Sequence, residues 1–134
     1  MTKPPILDTH VWIWWMLGDR RLSPRERAVL DALPHDTRPV LCDISLWEVA
    51  LLVKLGRLHL EDDLADWLHI AAAPATVEMR GITPAVVVAM NRLPATFQDP
   101  ADRLIVATAR ACGLPIATHD QRIRRSRSVT LWAP

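Results

Sequence analysis

The sequence predicts an α/β fold of three layers, with a mostly parallel sheet of about five strands held between helices. Three observations lead there. Short, continuously apolar runs alternate with longer stretches of helical pattern, the order from which parallel sheets are built. The runs lack polar alternation, as strands covered on both faces require. The 134 residues suffice for one domain with a proper core, spanning 1–134, and are too few for two.

The elements follow in order. Pro5-Ile-Leu-Asp8 is a short strand ending at an acid. His10 to Leu17 is an apolar helical stretch, stopped by Gly18-Asp19. Ser23-Pro24 supplies an N-cap and first residue for a helix to about Leu33. Val40-Leu41-Cys42 is a second buried strand. Ser45 to Lys54 is a helix closed by Leu55-Gly56. Glu61 to Ala71 is another, opened by acids as the helix dipole favours. Thr76 to Met79 is a third strand. Thr83-Pro84 opens a helix to about Arg92. Asp99-Pro100 opens the next, which runs to Cys112 and stops at Gly113. Leu114 to Thr118 is a fourth strand. A short basic helical turn follows Asp120, and Val129 to Trp132 is the last strand.

Half the residues are hydrophobic and 23% are charged, a globular composition. Cys42 and Cys112 form no C-x-x-C pair and are expected to be reduced thiols, not a zinc or redox site. The N-terminus does not read as a signal peptide, and the longest apolar stretch, Val11 to Leu17, is far short of a membrane span. The expectation is a soluble, cytoplasmic protein.

Net charge is only +1, but fourteen of the sixteen basic residues are arginine, the side chain suited to bidentate phosphate contacts. Setting aside the five candidate site acids described next leaves +1 + 5 = +6 on the rest of the chain. A basic shell around an acidic pocket suits a polyanionic substrate that must meet a metal. A general arginine bias without functional content explains the same composition equally well.

The acids stand at strand ends or at the starts of following helices. Asp8 ends the first strand. Glu48 lies in the first turn after the second. Asp99 and Asp102 open a long helix and share a face by their i, i+3 spacing. Asp120 follows the fourth strand. In a parallel sheet, ligands bind at the carboxyl ends of strands, so these acids can converge. Each pair of carboxylates about 5 Å apart then costs on the order of 3 kcal/mol at an effective dielectric near 20, and a bound cation relieves it. An all-oxygen site suits Mg²⁺ or Mn²⁺ better than zinc. Each acid except Asp8 also has a competing local role. Ser45-Leu-Trp-Glu48 fits a capping box, Asp99 before Pro100 is a good N-cap, and Asp120 can cap the last helical turn. Thr9, beside Asp8, is a cap candidate in its own right. His10 and His119 flank Asp8 and Asp120, as ligands, general bases or plain surface residues. The sequence offers no G-x-S-x-G elbow, no Cys-His set and no phosphate-cradling glycine loop.

With the acids placed, the chain resembles the PIN domain family, and within it the VapC-type toxins of bacterial toxin–antitoxin pairs. The segments carrying this are Leu7-Asp-Thr-His-Val-Trp-Ile-Trp-Trp15, Ile44-Ser-Leu-Trp-Glu-Val-Ala50, Asp99-Pro-Ala-Asp-Arg-Leu-Ile-Val-Ala-Thr-Ala109 and Ala117-Thr-His-Asp120. They span nearly the whole chain. The resemblance implies a PIN fold, a Mg²⁺- or Mn²⁺-dependent endoribonuclease, an RNA substrate of the tRNA or rRNA kind, homodimers, and a VapB-like antitoxin lying across the active site in a higher assembly. It assigns the four acidic positions to Asp8, Glu48, Asp102 and Asp120, as metal ligands, and an accessory acid to Asp99. Gln98 departs from the histidine often found before the Asp-Pro.

The expected reaction is metal-assisted phosphodiester hydrolysis, with the ion held mainly by Asp8 and Asp102. Arg122, Arg124, Arg125 and Arg127 are candidates to grip RNA phosphates. Arg103 is a candidate for the same role or for pairing with a site acid. Trp12, Trp14 and Trp15 are not expected all to point inward, and Ser45 to Leu58 is apolar nearly all round. These two stretches are the expected dimer and antitoxin surfaces. The alternatives are a housekeeping RNA-processing nuclease and a non-catalytic RNA-binding module, which would lack one or more of the acids.

Overall fold

A computed structural model describes residues 3–95 and 98–134. Its sheet has four parallel strands: β1 (Ile6–Leu7), β2 (Val40–Cys42), β3 (Glu78–Arg80) and β4 (Ile116–Ala117). Their order is β3-β2-β1-β4, so β1 lies inside the sheet with β2 on one side and β4 on the other. Ile6 pairs with Val40 and with Ile116; Leu7 pairs with Leu41 and with Ala117. The expected fifth strand is reduced to one rung. Leu131 bridges Ile116 in parallel, through Ile116 N–H to Thr130 O at 2.9 Å and Trp132 N–H to Ile116 O at 2.8 Å.

Among the described residues seven helices fill the connections: α1 (Thr9–Leu17), α2 (Pro24–Asp31), α3 (Ile44–Lys54), α4 (Leu64–Ala71), α5 (Pro84–Asn91), α6 (Pro100–Cys112) and α7 (Gln121–Ser126). Local chemistry sets their ends. Ser23 and Glu26 form a reciprocal capping box for α2. Gly18 and Gly113 stop α1 and α6 in the left-handed conformation, at φ 67° and 64°. Two elements start later than the sequence suggests. Asp63 caps α4 by accepting from Asp66 N–H at 2.9 Å, which leaves Glu61 and Asp62 outside. Thr76 is folded into the turn after α4, donating its hydroxyl to Ile70 O at 2.8 Å, so β3 begins at Glu78.

Alternate strand residues feed two separate cores, as the pleat requires. Leu7, Leu41 and Ala117 face a cluster with residues of α1, α2 and α4, including Val11, Trp12, Leu30 and Trp67. Ile6, Val40, Cys42 and Ile116 face the other side, against Val86 of α5, Ile105, Val106 and Ala109 of α6, and Ile123 of α7. This is the three-layer arrangement the sequence predicts. Both cysteines are free thiols, and burial pushes the Cys42 thiol up to about 11.

The tryptophans of α1 are a correction. Trp12 is fully buried and Trp15 nearly so. They lie i, i+3 on one face, and each indole N–H finds a partner: Trp12 donates to Ala71 O at 2.9 Å and Trp15 to Asp31 Oδ1 at 2.8 Å. Satisfied indoles can be buried at no polar cost, so Trp12 and Trp15 are core and not part of a docking surface. Only Trp14 turns away, toward the carboxyl ends of the strands. Trp47 on α3 is 57% exposed and Leu55, just after it, 55%.

Candidate active site

Because β1 lies between β2 and β4, the segments following all three open onto one end of the sheet. A cavity of about 240 Å³ lies there, lined by Asp8, Glu48, Asp99, Asp102 and Asp120, with His10, Trp14, His119 and Arg122 completing its wall. The five candidate acids, drawn from segments far apart in sequence, thus share one pocket. A larger cavity of about 320 Å³ lies at the opposite ends of β2 and β3. Its charges are mixed, and its Arg38 is spent on Leu33 O and Thr76 O, so it offers no comparable concentration of one charge.

Asp8 is 5% exposed. It occupies the N-cap position of α1 but makes no cap hydrogen bond. Its Oδ2 instead accepts from the Thr118 hydroxyl at 2.7 Å. Burial raises its pKa, and the nearby Asp120 charge adds to this, against the Thr118 hydrogen bond and the charge of His10. Thr118 in turn accepts from Asp120 N–H at 3.0 Å. One hydroxyl therefore ties the acid after β1 to the segment carrying the acid after β4.

Glu48 is held by a different hydroxyl. Helix α3 begins at Ile44, one residue before Ser45, and its N-cap Asp43 makes no side-chain cap. The capping-box role for Glu48 is therefore replaced. Ser45 turns to the Thr9 hydroxyl at 2.8 Å, and Thr9 donates to Glu48 Oε1. With the Thr9 proton committed to Glu48, Ser45 must be the donor to Thr9. Thr9 and Ser45 are both fully buried. Burial raises the Glu48 pKa, and the Asp8 and Asp99 charges add to it, against the Thr9 bond.

Asp99 and Asp120 do act as caps while lining the pocket. Asp99 Oδ1 accepts from Ala101 N–H at 2.9 Å and Asp102 N–H at 3.1 Å. Asp120 Oδ1 accepts from Arg122 N–H at 2.8 Å. Asp102, projecting from the first turn of α6, is pushed up to about 7 by burial and by the charges of Asp8, Asp99 and Asp120. Burial also opposes ionisation of Asp120, but hydrogen bonds from the Arg122 side chain and backbone outweigh it and hold that carboxyl below its usual range.

The other candidates divide. Arg122 reaches the acids themselves, 3.1 Å from Asp120 and 3.3 Å from Asp102. Arg103 donates to Met90 O at 2.7 Å and Pro94 O at 3.0 Å, bracing the end of α5. Arg124 donates to Thr118 O at 3.1 Å. Arg125 and Arg127 are exposed. His119 pairs with Glu26 at 2.9 Å and meets the Trp14 ring edge-on at 5.2 Å, while His10 lies 6.0 Å from the same ring. Thr118 escapes sequence reasoning altogether; the one local signal is a hydroxyl two residues before an acid at a strand end.

The donor set fits a hard cation: carboxylate oxygens, three of whose pKa values are raised by burial and, to a lesser degree, by neighbouring carboxylates. Asp8, Glu48, Asp102 and Asp120 are the residues that would hold it. Among the described residues no three such side chains are gathered closely enough to close on an ion as they stand. The hydroxyls and Arg122 keep the acids engaged separately.

Comparison with known proteins bears on the fold and the family. The chain is 38% identical over 131 residues to Ribonuclease VapC22 of Mycobacterium tuberculosis (strain ATCC 25618 / H37Rv), an alignment covering 95% of this chain and 97% of that protein. Its fold matches the crystal structure of VapBC2 from Rickettsia felis bound to a DNA fragment from their promoter, with a TM-score of 0.67 at 14% identity over 95% of this chain and 96% of the other. The PIN domain model matches residues 6–128. The chain belongs to the PIN domain family.

Proposed function

We propose that the protein is a Mg²⁺- or Mn²⁺-dependent endoribonuclease of the VapC type, neutralised by a VapB-like antitoxin. The observation that carries this is the convergence of five acids in one cavity at the carboxyl ends of a parallel sheet. The relationship to a protein named as a ribonuclease supports RNA as the substrate.

A divalent ion, when bound, supplies a Lewis acid for the scissile phosphate and acidifies a water. The chain's own residues prepare the rest. Asp8 and Asp102 present oxygens from opposite sides of the pocket's construction, one at a strand end and one on α6. Glu48, with its carboxyl lifted by burial, is suited to take a proton from a water brought to the phosphorus. Asp120 completes the donor set, and Asp99 adds charge while fixing the start of α6. Arg124 and Arg125 belong to α7, the helix that Asp120 caps, and in this reading meet flanking phosphates. Trp47 on α3, with Leu55 beyond its end, leaves an apolar patch in solvent, the surface this reading gives to the antitoxin. A homodimer and a cytoplasmic setting belong to the same reading; among the described residues no helix is long and apolar enough to cross a membrane.

The test uses purified protein freed of antitoxin. It should cleave structured RNA in Mg²⁺ or Mn²⁺, and Asp8→Asn should abolish cleavage. Activity that survives both EDTA and this substitution overturns the mechanism.

A further inference from the structure

Arg122 is the second residue of α7, and its backbone N–H is capped by Asp120. Its side chain curls back over that cap. A single nitrogen, Nη2, lies 3.1 Å from Asp120 Oδ2 and 3.3 Å from Asp102 Oδ2. One guanidinium therefore bridges acids that the fold delivers from two different segments. Among the described residues lining this cavity it is the only arginine or lysine.

The attachment is uneven. The Arg122 side chain is 70% exposed, while the carboxylates it touches are 14% and 24% exposed. The acids are fixed by their helices; the arginine is held by its tip on a long stem. Asp120 accepts from both Nε, at 3.4 Å, and Nη2, at 3.1 Å, the paired arrangement that strengthens arginine contacts, whereas Asp102 gets one contact only. With the arginine largely in solvent, both contacts are screened by water and each contributes little. A divalent ion brings twice the charge to oxygens at about 2.1 Å, against about 3 Å for a guanidinium nitrogen. It should win the contest for the same oxygens.

We propose that Arg122 is the pocket's resident counter-cation, occupying the side of Asp102 and Asp120 that a divalent ion needs and leaving when the ion binds. This rests on the metal-dependent reading above. It has a cost for the ion: apparent affinity is lowered by the fraction of molecules in which the arginine is seated.

The test needs no RNA. Mn²⁺ binding is measured by electron paramagnetic resonance of the free ion, on the wild-type protein, Arg122→Gln and Arg110→Gln. Arg110 lies at the far end of α6, outside this cavity. Arg122→Gln should bind Mn²⁺ roughly 3–10-fold more tightly, the worth of one or two exposed ion pairs, and Arg110→Gln should match the wild type. Unchanged or weaker binding in Arg122→Gln overturns the proposal, as does an equal gain in Arg110→Gln, which would mark a general charge effect. Failure of wild type and variant alike to bind Mn²⁺ overturns it together with the metal reading. If Arg122→Gln does not fold, the wild-type protein decides by ¹⁵N NMR: the Arg122 Nε signal should shift on titration with Mg²⁺, and a static signal sinks the idea. A cleavage assay on wild-type protein separates the two readings. Tighter Mn²⁺ binding by the variant of a protein that cuts no RNA keeps this inference and removes the nuclease.

Discussion

The Thr118 hydroxyl donates to Asp8 Oδ2 at 2.7 Å, across 110 positions of sequence. The donor follows β4 and the acceptor follows β1, so a single bond fixes the spacing of two strand ends where the acids collect. Thr118→Val keeps the shape and removes the donor. The buried Asp8 carboxyl then loses its main partner, and stability should fall by about 1–3 kcal/mol, read from urea denaturation at neutral pH. Thr118→Ser should recover most of this. A valine variant as stable as wild type would show that Asp8 is protonated or otherwise satisfied.

Asp102 predicts an unusual pH dependence for the metal-free protein. Its folded pKa is about 7, above the ordinary 3.8. Between those values the folded state holds the proton more tightly than the unfolded chain, so stability falls as pH rises and levels off above about 7. The loss should be on the order of 1–3 kcal/mol between pH 5 and 8. Asp120, whose pKa is lowered, acts oppositely but only at more acidic pH. Asp8 and Glu48, whose pKa values are also raised, act in the same direction, so Asp102→Asn should make the profile shallower in this window without abolishing it. Identical slopes in wild type and Asp102→Asn would remove Asp102 as the cause.

Asp99 holds two jobs that substitution can separate. Asp99→Asn retains a capping oxygen and should change stability by only a few tenths of a kcal/mol, while Asp99→Ala should cost about 0.5–2 kcal/mol. If Asp99 also contributes charge to the pocket, both variants should weaken Mn²⁺ binding by a similar factor. Weakening confined to the alanine variant would assign the effect to fraying of α6.

The tryptophans of α1 and α3 should behave in opposite ways. Trp12→Ala removes a fully buried ring packed 5.1 Å from Trp67 and should cost about 3–5 kcal/mol. Trp47→Glu, at an exposed site, should shift stability by no more than about 0.5 kcal/mol. It should nevertheless prevent co-purification with the proposed VapB-like antitoxin. Retention of the complex by Trp47→Glu moves the antitoxin surface elsewhere.

Much of the fold was legible because its signals are local. Pro24, Pro84 and Pro100 begin helices, Gly18 and Gly113 end them, and the apolar runs at Ile6, Val40 and Ile116 are strands too short to be anything else. The slips came where a tertiary bond overrode a local one. Ser45 and Glu48 have the spacing of a capping box, but Thr9 from another segment claims both. Thr76 looks like strand and is drawn into a turn by Ile70. The tryptophans at positions 12, 14 and 15 suggested an outer surface, yet α1 packs against α2 and α4, where Asp31 and Ala71 provide acceptors that no local pattern shows. The acids themselves could be picked out by their place at strand ends. Which hydroxyl or guanidinium each would take depended on strand order, which the linear sequence leaves open.

The bond between Asp8 and Thr118 also has a meaning in time. A parallel sheet with its first strand inside cannot be finished in the order it is made. While the chain is still leaving the ribosome, Asp8, Glu48 and Asp102 all emerge before β4, one of the two strands that flank β1, and before the hydroxyl that positions Asp8. A nascent chain truncated before Thr118 has acids but no pocket. If the protein does cut RNA, the machinery translating it meets a polypeptide without an assembled pocket until Thr118 has emerged.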